Sequence, residues 1–146
     1  MINTYSLSDS KIEDYERFYE LALFHKHLIV RAEVKNPLVC PDKVSKEWMP
    51  ALIERIGMKV LMGPYAVYSE MEGNRGLTCA TIIETSHIVM HIWDEDKPAM
   101  VQLDVYTCGP LDPYDVVESL KEMDPVHIDM KYLDREHDLT EIPLND

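Results

Sequence analysis

Alternating apolar and polar positions dominate the middle and the end of the chain, and they predict an antiparallel sheet. The clearest case is VHIDMKY (126–132), where apolar and polar side chains alternate strictly and so point to opposite faces of a strand. The other strand-like stretches are HLIVRAEV (27–34), KVLMGPYAVYSE (59–70), GLTCATIIE (76–84), HIVMHIW (87–93) and AMVQLDVYT (99–107). EGNRG and DEDKP separate neighbouring stretches and are typical of hairpin turns.

Three segments have the apolar spacing of an amphipathic helix instead. They are SDSKIEDYERFYE (8–20), SKEWMPALIERIG (45–57) and DPYDVVESLKEM (112–123). The second has Pro50 near its first turn and ends at Gly57, and the third has Asp112 as N-cap and Pro113 at its first helical position. Helices among antiparallel strands predict an α+β fold, a two-layer sandwich with the helices packed on one face of the sheet.

Length and charge narrow the classes of function. A chain of 146 residues is the size of one domain. Its net charge of -13 argues against sequence-independent nucleic-acid binding, which needs clustered Lys and Arg. No apolar run approaches the roughly 20 residues of a membrane span, and the N-terminus lacks the basic start and apolar core of a secretion signal. We therefore expect no membrane partner and a cytoplasmic protein.

The segment from Thr85 to Cys108 brings a hydroxyl and a thiol to one end of a predicted hairpin. If the turn is centred near Asp96 or Lys97, paired residues have numbers that sum to about 193. Cys108 then lies opposite Thr85 or Ser86, which predicts a reactive pair. The alternative is a buried structural cysteine next to an incidental serine at the end of a strand.

Two histidines in the same segment raise the question of a metal site. His87 and His91 would share one face of a helix, but in a strand their backbones lie about 13 Å apart, too far for one ion. We therefore predict no metal, although a site recruiting Asp94, Glu95 or Asp104 stays open.

The sulfur-containing residues add no metal motif. Cys40, Cys79 and Cys108 form no CxxC pair, and an odd number of cysteines in a cytosolic chain predicts free thiols. The nine methionines, among them Met58, Met62, Met90 and Met100, are typical of core filling.

The order of the motifs resembles that of the small bacterial and archaeal S-adenosylmethionine decarboxylases, which are pyruvoyl enzymes of polyamine synthesis. The resemblance rests on SHIVMHIW with a Glu two residues later, then LDVYTCG and DPYDVVESLK. It is densest from Leu77 to Leu120 and extends more loosely from His27 to Tyr132. It implies that residues 1–24 form a helical extension and residues 25–146 an S-adenosylmethionine decarboxylase-like domain.

The resemblance implies a role for each matching residue. Ser86 would attack the carbonyl of Thr85, cut the chain and leave a pyruvoyl group that forms a Schiff base with the substrate amine and accepts electrons as carbon dioxide leaves. Cys108 resembles the proton donor, and His91 the base of self-cleavage. Thr78 lies where the family usually carries a helper serine.

The substrate side of the resemblance is less complete. Glu95 matches the carboxylate that holds the ribose hydroxyls, and we expect Trp93 to line the same site. The aromatic residue that stacks on adenine has no counterpart, so Tyr68 and Phe24 are candidate replacements. Thr85 also replaces the Glu that normally precedes the processing serine. S-adenosylmethionine is the implied substrate, for spermidine synthesis. The alternatives are decarboxylation of ornithine or arginine, and a non-processing homologue with a binding or regulatory role.

Strand geometry adds a constraint on assembly. Five residues of extended strand separate Ser86 from His91, which is about 16 Å, so the two cannot meet within one chain. The family pairs two copies. The resemblance therefore implies a homodimer in which Ser86 and Cys108 of one protomer face Thr78, His91 and Glu95 of the other.

Overall fold

The fold was analysed in a computed structural model that describes residues 25–144. The predicted helix over 8–20 and the candidate residue Phe24 lie outside the described residues. In chain order the elements are β1 (Lys26–Val34), α1 (Pro41–Lys43), a π-helical turn (Val44–Trp48), α2 (Met49–Arg55), β2 (Val60–Ser69), β3 (Gly76–Ile83), β4 (Ser86–Trp93), β5 (Ala99–Thr107), α3 (Pro113–Leu120), a 3-10 turn (Lys121–Met123) and β6 (Pro125–Asp134).

All six strands belong to one sheet with the order β2-β3-β4-β5-β1-β6. Every neighbouring pair is antiparallel. Consecutive strands β2 to β5 form a meander, whereas β1 lies between β5 and β6. The predicted antiparallel sheet with helices is confirmed.

One face of the sheet and the apolar sides of the helices form the core. Every second residue of the inner strands is fully buried there, as the alternation of the sequence predicts. The helices contribute Met49, Leu52, Ile53, Val116 and Leu120 to the same cluster. Side chains on the opposite face, the open face, are partly or fully exposed; they include His27, Ile29, Arg31, Thr78, Ile82, His87, Val89, His91, Trp93, Gln102, Asp104 and Tyr106.

The helix predicted over 45–57 begins earlier than its apolar spacing indicates. It starts at Pro41 rather than Ser45, because proline is well accommodated in the first turn of a helix, where no partner for an N–H is needed. A π-helical turn precedes Pro50. Proline in a regular helix removes one hydrogen bond and clashes with the carbonyl one turn back, and the wider turn relieves both problems.

The predicted helix over 112–123 is confirmed together with its cap. The Asp112 carboxylate accepts a hydrogen bond from the N–H of Tyr114 (2.9 Å), and Pro113 occupies the first turn. The Trp48 indole N–H donates to the carbonyl of Ser119 (3.1 Å) and so ties the two helical segments together. Within residues 25–144 no helix has the length and apolar character needed to cross a membrane.

Candidate active site

The β4–β5 hairpin places Cys108 beside the Thr85–Ser86 peptide bond. Ser86 pairs with Thr107, so paired residue numbers sum to 193 as predicted. One residue further, the N–H of Cys108 donates to the carbonyl oxygen of Thr85 at 2.8 Å. A backbone donor is therefore already aimed at the carbonyl that Ser86 is expected to attack.

The backbone at Ser86 is strained. Its φ is 149°, a region that residues other than glycine rarely adopt. Such a conformation costs on the order of 1–3 kcal/mol and persists only where the surrounding structure imposes it. Among the described residues, Asp124 and Leu139 are the other non-glycine residues with positive φ, and both have values near 50°, which turns commonly accommodate. The larger distortion thus lies at the proposed cleavage site.

A second group of candidate residues meets on the open face, at the other end of β4. Thr78 pairs with His91 across β3 and β4, and Thr78 Oγ1 lies 2.9 Å from His91 Nδ1, within hydrogen-bond distance. The His91 ring is 5.6 Å from the ring of Trp93. These residues line a cavity of about 220 Å³ with Ser69 and Asn74.

The two groups do not meet within one chain. Ser86 and His91 occupy opposite ends of one regular strand, β4, and five residues of strand span about 16 Å. His91 is hydrogen-bonded to Thr78 and lies out of reach of the Ser86 in its own chain.

Glu95 and Trp93 are hydrogen-bonded to the β2–β3 turn. The Glu95 carboxylate accepts the N–H of Arg75 (2.8 Å) on one oxygen and that of Gly73 (3.2 Å) on the other. The Trp93 indole N–H donates to Asn74 Oδ1 (2.8 Å). A carboxylate has about four lone-pair sites, so two remain for a ligand.

Tyr68 lies apart from His91 and Trp93. It pairs with the buried Leu77 and packs against the core on the helix side of the sheet, and its hydroxyl donates to Asp94 (2.8 Å). The guanidinium of Arg75 also donates to Asp94 (3.0 Å). Burial works to raise the pKa of Asp94, but these hydrogen bonds and the charge of Arg75 outweigh it and leave the pKa below its ordinary value.

The three cysteines differ in environment. Cys79 is fully buried in the core, and burial raises the pKa of its thiol to about 11, so the thiol stays neutral at physiological pH. Cys40 is exposed and directly precedes α1. Cys108 is partly exposed and directly follows β5. Position and exposure together favour Cys108 as the functional thiol.

The histidines on the open face do not converge on a metal site. His87 and His91 both line a groove of about 540 Å³. His87 Nε2 lies 3.7 Å from Asp104, which is also hydrogen-bonded to His27 at 2.6 Å, whereas His91 is bonded to Thr78. The two imidazoles thus have different partners.

One cluster within residues 25–144 has ligand-type atoms close enough to share an ion. It consists of Asp134, Glu136 and His137. The Lys26 ammonium lies 2.8 Å from Glu136 and 3.7 Å from Asp134. Lys26 thus contacts both carboxylates, and His137 Nδ1 lies 3.1 Å from Asp134, so the members of the cluster are paired with charged or polar protein groups.

The sequence did not indicate Met58 as a candidate site residue, because its position in the apolar pattern is typical of core residues. Its sulfur accepts hydrogen bonds from the hydroxyls of Thr85 (2.9 Å) and Thr107 (3.5 Å). Nothing in the local pattern around residue 58 indicates this contact, which depends on how α2 packs beside the hairpin.

Comparison with known proteins identifies the family. The model of the S-adenosylmethionine decarboxylase family matches residues 26–136. A relative named S-adenosylmethionine decarboxylase proenzyme from Hydrogenobaculum sp. is 39% identical over 62 residues, which are 41% of this chain and 45% of the relative. A protein of the same name from Clostridium botulinum is 43% identical over 49 residues, 33% of this chain and 40% of the relative. The matched stretch thus spans less than half the length of each.

The fold has a counterpart among solved structures. The crystal structure of the adenosylmethionine decarboxylase from Aquifex aeolicus superimposes with a TM-score of 0.53 at 22% identity, covering 86% of this chain and 100% of that one. That likeness concerns the fold. The family match extends over most of the described residues and contains both groups of candidate residues, so this chain belongs to the S-adenosylmethionine decarboxylase family.

Proposed function

We propose that this chain is a self-processing proenzyme that cleaves itself between Thr85 and Ser86 and then decarboxylates S-adenosylmethionine. The observation that carries the proposal is the geometry at that bond. Ser86 has a strained backbone, and the Cys108 N–H is bonded to the Thr85 carbonyl oxygen at 2.8 Å. Family membership and the names of the relatives agree with this activity.

The first step transfers the acyl group of Thr85 from the Ser86 nitrogen to Ser86 Oγ. Ser86 Oγ attacks the Thr85 carbonyl carbon, its proton goes to a base, and negative charge develops on the Thr85 oxygen. The Cys108 N–H stabilises that charge, as an oxyanion hole does. Collapse breaks the C–N bond, the nitrogen takes up a proton, and an ester remains in place of the peptide.

The second step cuts the chain. Loss of the Ser86 α-proton expels the Thr85 carboxylate and leaves a carbon–carbon double bond at residue 86. Its imine tautomer takes up water and releases ammonia, which leaves a pyruvoyl group at the new terminus. When formed, the pyruvoyl group would supply a ketone that condenses with the substrate amine, with loss of water, and an electron sink for the bond pair released with carbon dioxide. Cys108, next to the same terminus, then returns a proton to the substrate carbon.

A second copy of the chain completes the proposed site. His91, the base, and Thr78, its hydroxyl partner, lie about 16 Å along the sheet from Ser86. Apolar side chains on the same open face are unusually exposed, including Ile29 (41%), Ile82 (46%) and Val67 (63%). A two-fold homodimer that joins open faces covers them and brings His91 of one protomer to Ser86 of the other.

The proposed substrate contacts lie around the 220 Å³ cavity. Trp93 offers an aromatic surface there, and Glu95 beside it retains lone pairs for the ribose hydroxyls. For Tyr68 to stack on adenine, its ring would have to turn away from the helix side of the sheet. We propose a cytoplasmic enzyme whose product serves spermidine synthesis. Ornithine and arginine are the alternative substrates to assay beside S-adenosylmethionine.

Mass spectrometry of the purified protein tests the cleavage. We expect two fragments divided before residue 86, with a carbonyl-reactive end on the second, and only intact chain for Ser86→Ala. Cys108→Ala is expected to cleave and to lose release of carbon dioxide. An intact wild-type chain would instead favour a non-processing homologue with a binding or regulatory role.

Mixing two inactive variants tests the composite site. Ser86→Ala lacks the nucleophile, and His91→Ala lacks the base, so each alone is expected to stay intact. After co-refolding, the His91→Ala chain receives a base from its partner and is cleaved, while the Ser86→Ala chain stays intact. Cleavage of His91→Ala alone at the wild-type rate would contradict this role of His91.

A further inference from the structure

We propose that Met58 is a positioning residue for the self-cleavage. Its sulfur holds the Thr85 side chain and thereby keeps the Thr85 carbonyl oxygen aligned with the Cys108 N–H. The inference rests on the proposed self-cleavage and adds to it a residue from outside the β4–β5 hairpin.

The end of α2 fixes the backbone of Met58. Gly57 has a φ of 71° and donates its N–H to Glu54, and the N–H of Met58 donates to Ile53, both at 2.9 Å. This pair of bonds is the Schellman arrangement that closes a helix. The carbonyl of the next residue accepts the N–H of Glu84 at 2.9 Å, which joins the segment to the β3–β4 turn. Met58 is therefore placed beside that turn by hydrogen bonds on both sides.

The Met58 side chain joins the two strand ends that flank the proposed cleavage site. Its sulfur accepts the hydroxyl of Thr85 at 2.9 Å and that of the fully buried Thr107 at 3.5 Å. The Thr107 hydroxyl in turn accepts the N–H of Gly109 at 2.9 Å. A Cβ on Gly109 would lie 3.2 Å from the Met58 methyl group, so the thioether packs closely on this glycine. Cys108 is thus held between two residues that Met58 contacts.

Thr85 connects these contacts to the chemistry. Its carbonyl must stay aligned with the Cys108 N–H while Ser86 attacks, and rotation of Thr85 would turn the carbonyl away. The hydroxyl of Thr85 donates to the Met58 sulfur, which restricts that rotation. Sulfur is a weak acceptor, so we expect the effect of one modest hydrogen bond, about threefold to tenfold in the cleavage rate.

The rate of chain cleavage tests the proposal in three variants. Met58→Leu keeps the volume and removes the acceptor, and Thr85→Val keeps the shape and removes the donor. Each is expected to slow cleavage about threefold to tenfold, and the double variant is expected to be no slower than the slower single one. Thr85→Ser retains the hydroxyl and should cleave within about twofold of wild type. The uncleaved fraction is followed on denaturing gels after cell-free synthesis.

Amide hydrogen exchange separates positioning from general stability. In the uncleavable Ser86→Ala chain, adding Met58→Leu should speed exchange of the Cys108 N–H about threefold to tenfold and leave the amides in the middle of β4 and β5 unchanged. Uniformly faster exchange would mean a merely structural role. Wild-type cleavage rates in both single variants, or independent effects in the double variant, would overturn the inference and leave the proposed function standing. A wild-type chain that never cleaves would overturn both.

Discussion

Replacing Ser86 by glycine should stabilise the uncleaved chain relative to replacing it by alanine. Alanine must hold the φ of 149° at a cost on the order of 1–3 kcal/mol, whereas glycine adopts it freely. Glycine within a strand loses about 0.5–1 kcal/mol to its greater backbone freedom in the unfolded chain. Taking the middle of each range, we expect the Ser86→Gly chain to be about 1 kcal/mol more stable to unfolding than the Ser86→Ala chain. For a chain of this size, this difference corresponds to a melting temperature about 2–4 °C higher.

Thermal unfolding of the two variants measures this difference. Neither variant carries the hydroxyl that cuts the chain, so both are compared as intact protein. Ala80→Gly, placed in the Ser86→Ala chain, is the matched control because Ala80 is exposed, lies in β3 and has an ordinary negative φ. It should lower the melting temperature by about 1–4 °C, from a loss of about 0.5–1 kcal/mol. If Ser86→Gly melts at or below Ser86→Ala, the strain assigned to this position is wrong.

Three further predictions concern the surroundings of the site. Gly76→Ala should melt far below Gly73→Ala, because a Cβ at Gly76 would lie 1.7 Å from a carbonyl oxygen of β4. A Cβ at Gly73 meets open space, so that substitution costs only about 1–2 kcal/mol of left-handed backbone strain. Equal melting temperatures of the two variants would contradict this prediction. Asp94→Asn should destabilise the fold at pH 7. Since the pKa of Asp94 is lowered in the fold, its contribution is present above the unfolded-state value of about 3.9 and disappears as the pH falls through the folded value. Urea unfolding should therefore show wild type and variant converging at acid pH, and a constant difference would refute the assignment. Cys79, with a pKa of about 11 and a fully buried side chain, should resist a thiol reagent at pH 8 until the protein unfolds, as mass spectrometry of the labelled protein can show.

The strands and the hairpin register could be predicted because they depend on neighbours in sequence. A strict period of two fixes which side chains face the core, and a short turn fixes which residues pair, so the position of Cys108 opposite Thr85 followed from counting. The cap at Asp112 followed in the same way from its own next few residues.

Other features depend on segments that are distant in the sequence. The strain at Ser86 arises where β4 must pair with both β3 and β5, and no local pattern encodes it. The contact between Met58 and Thr85 exists only once α2 packs beside the β3–β4 turn. The bonds from the β2–β3 turn to Glu95 also join residues about twenty positions apart.

The strand order determines what happens to the molecule after a cut between Thr85 and Ser86. The N-terminal piece holds β1, β2 and β3, and the C-terminal piece holds β4, β5 and β6, yet β1 lies between β5 and β6. The two polypeptides are consequently interleaved, with shared boundaries at β3–β4, β5–β1 and β1–β6. Pulling them apart requires three ladders of hydrogen bonds to open together. The nick can therefore release local distortion at residue 86 without releasing either fragment.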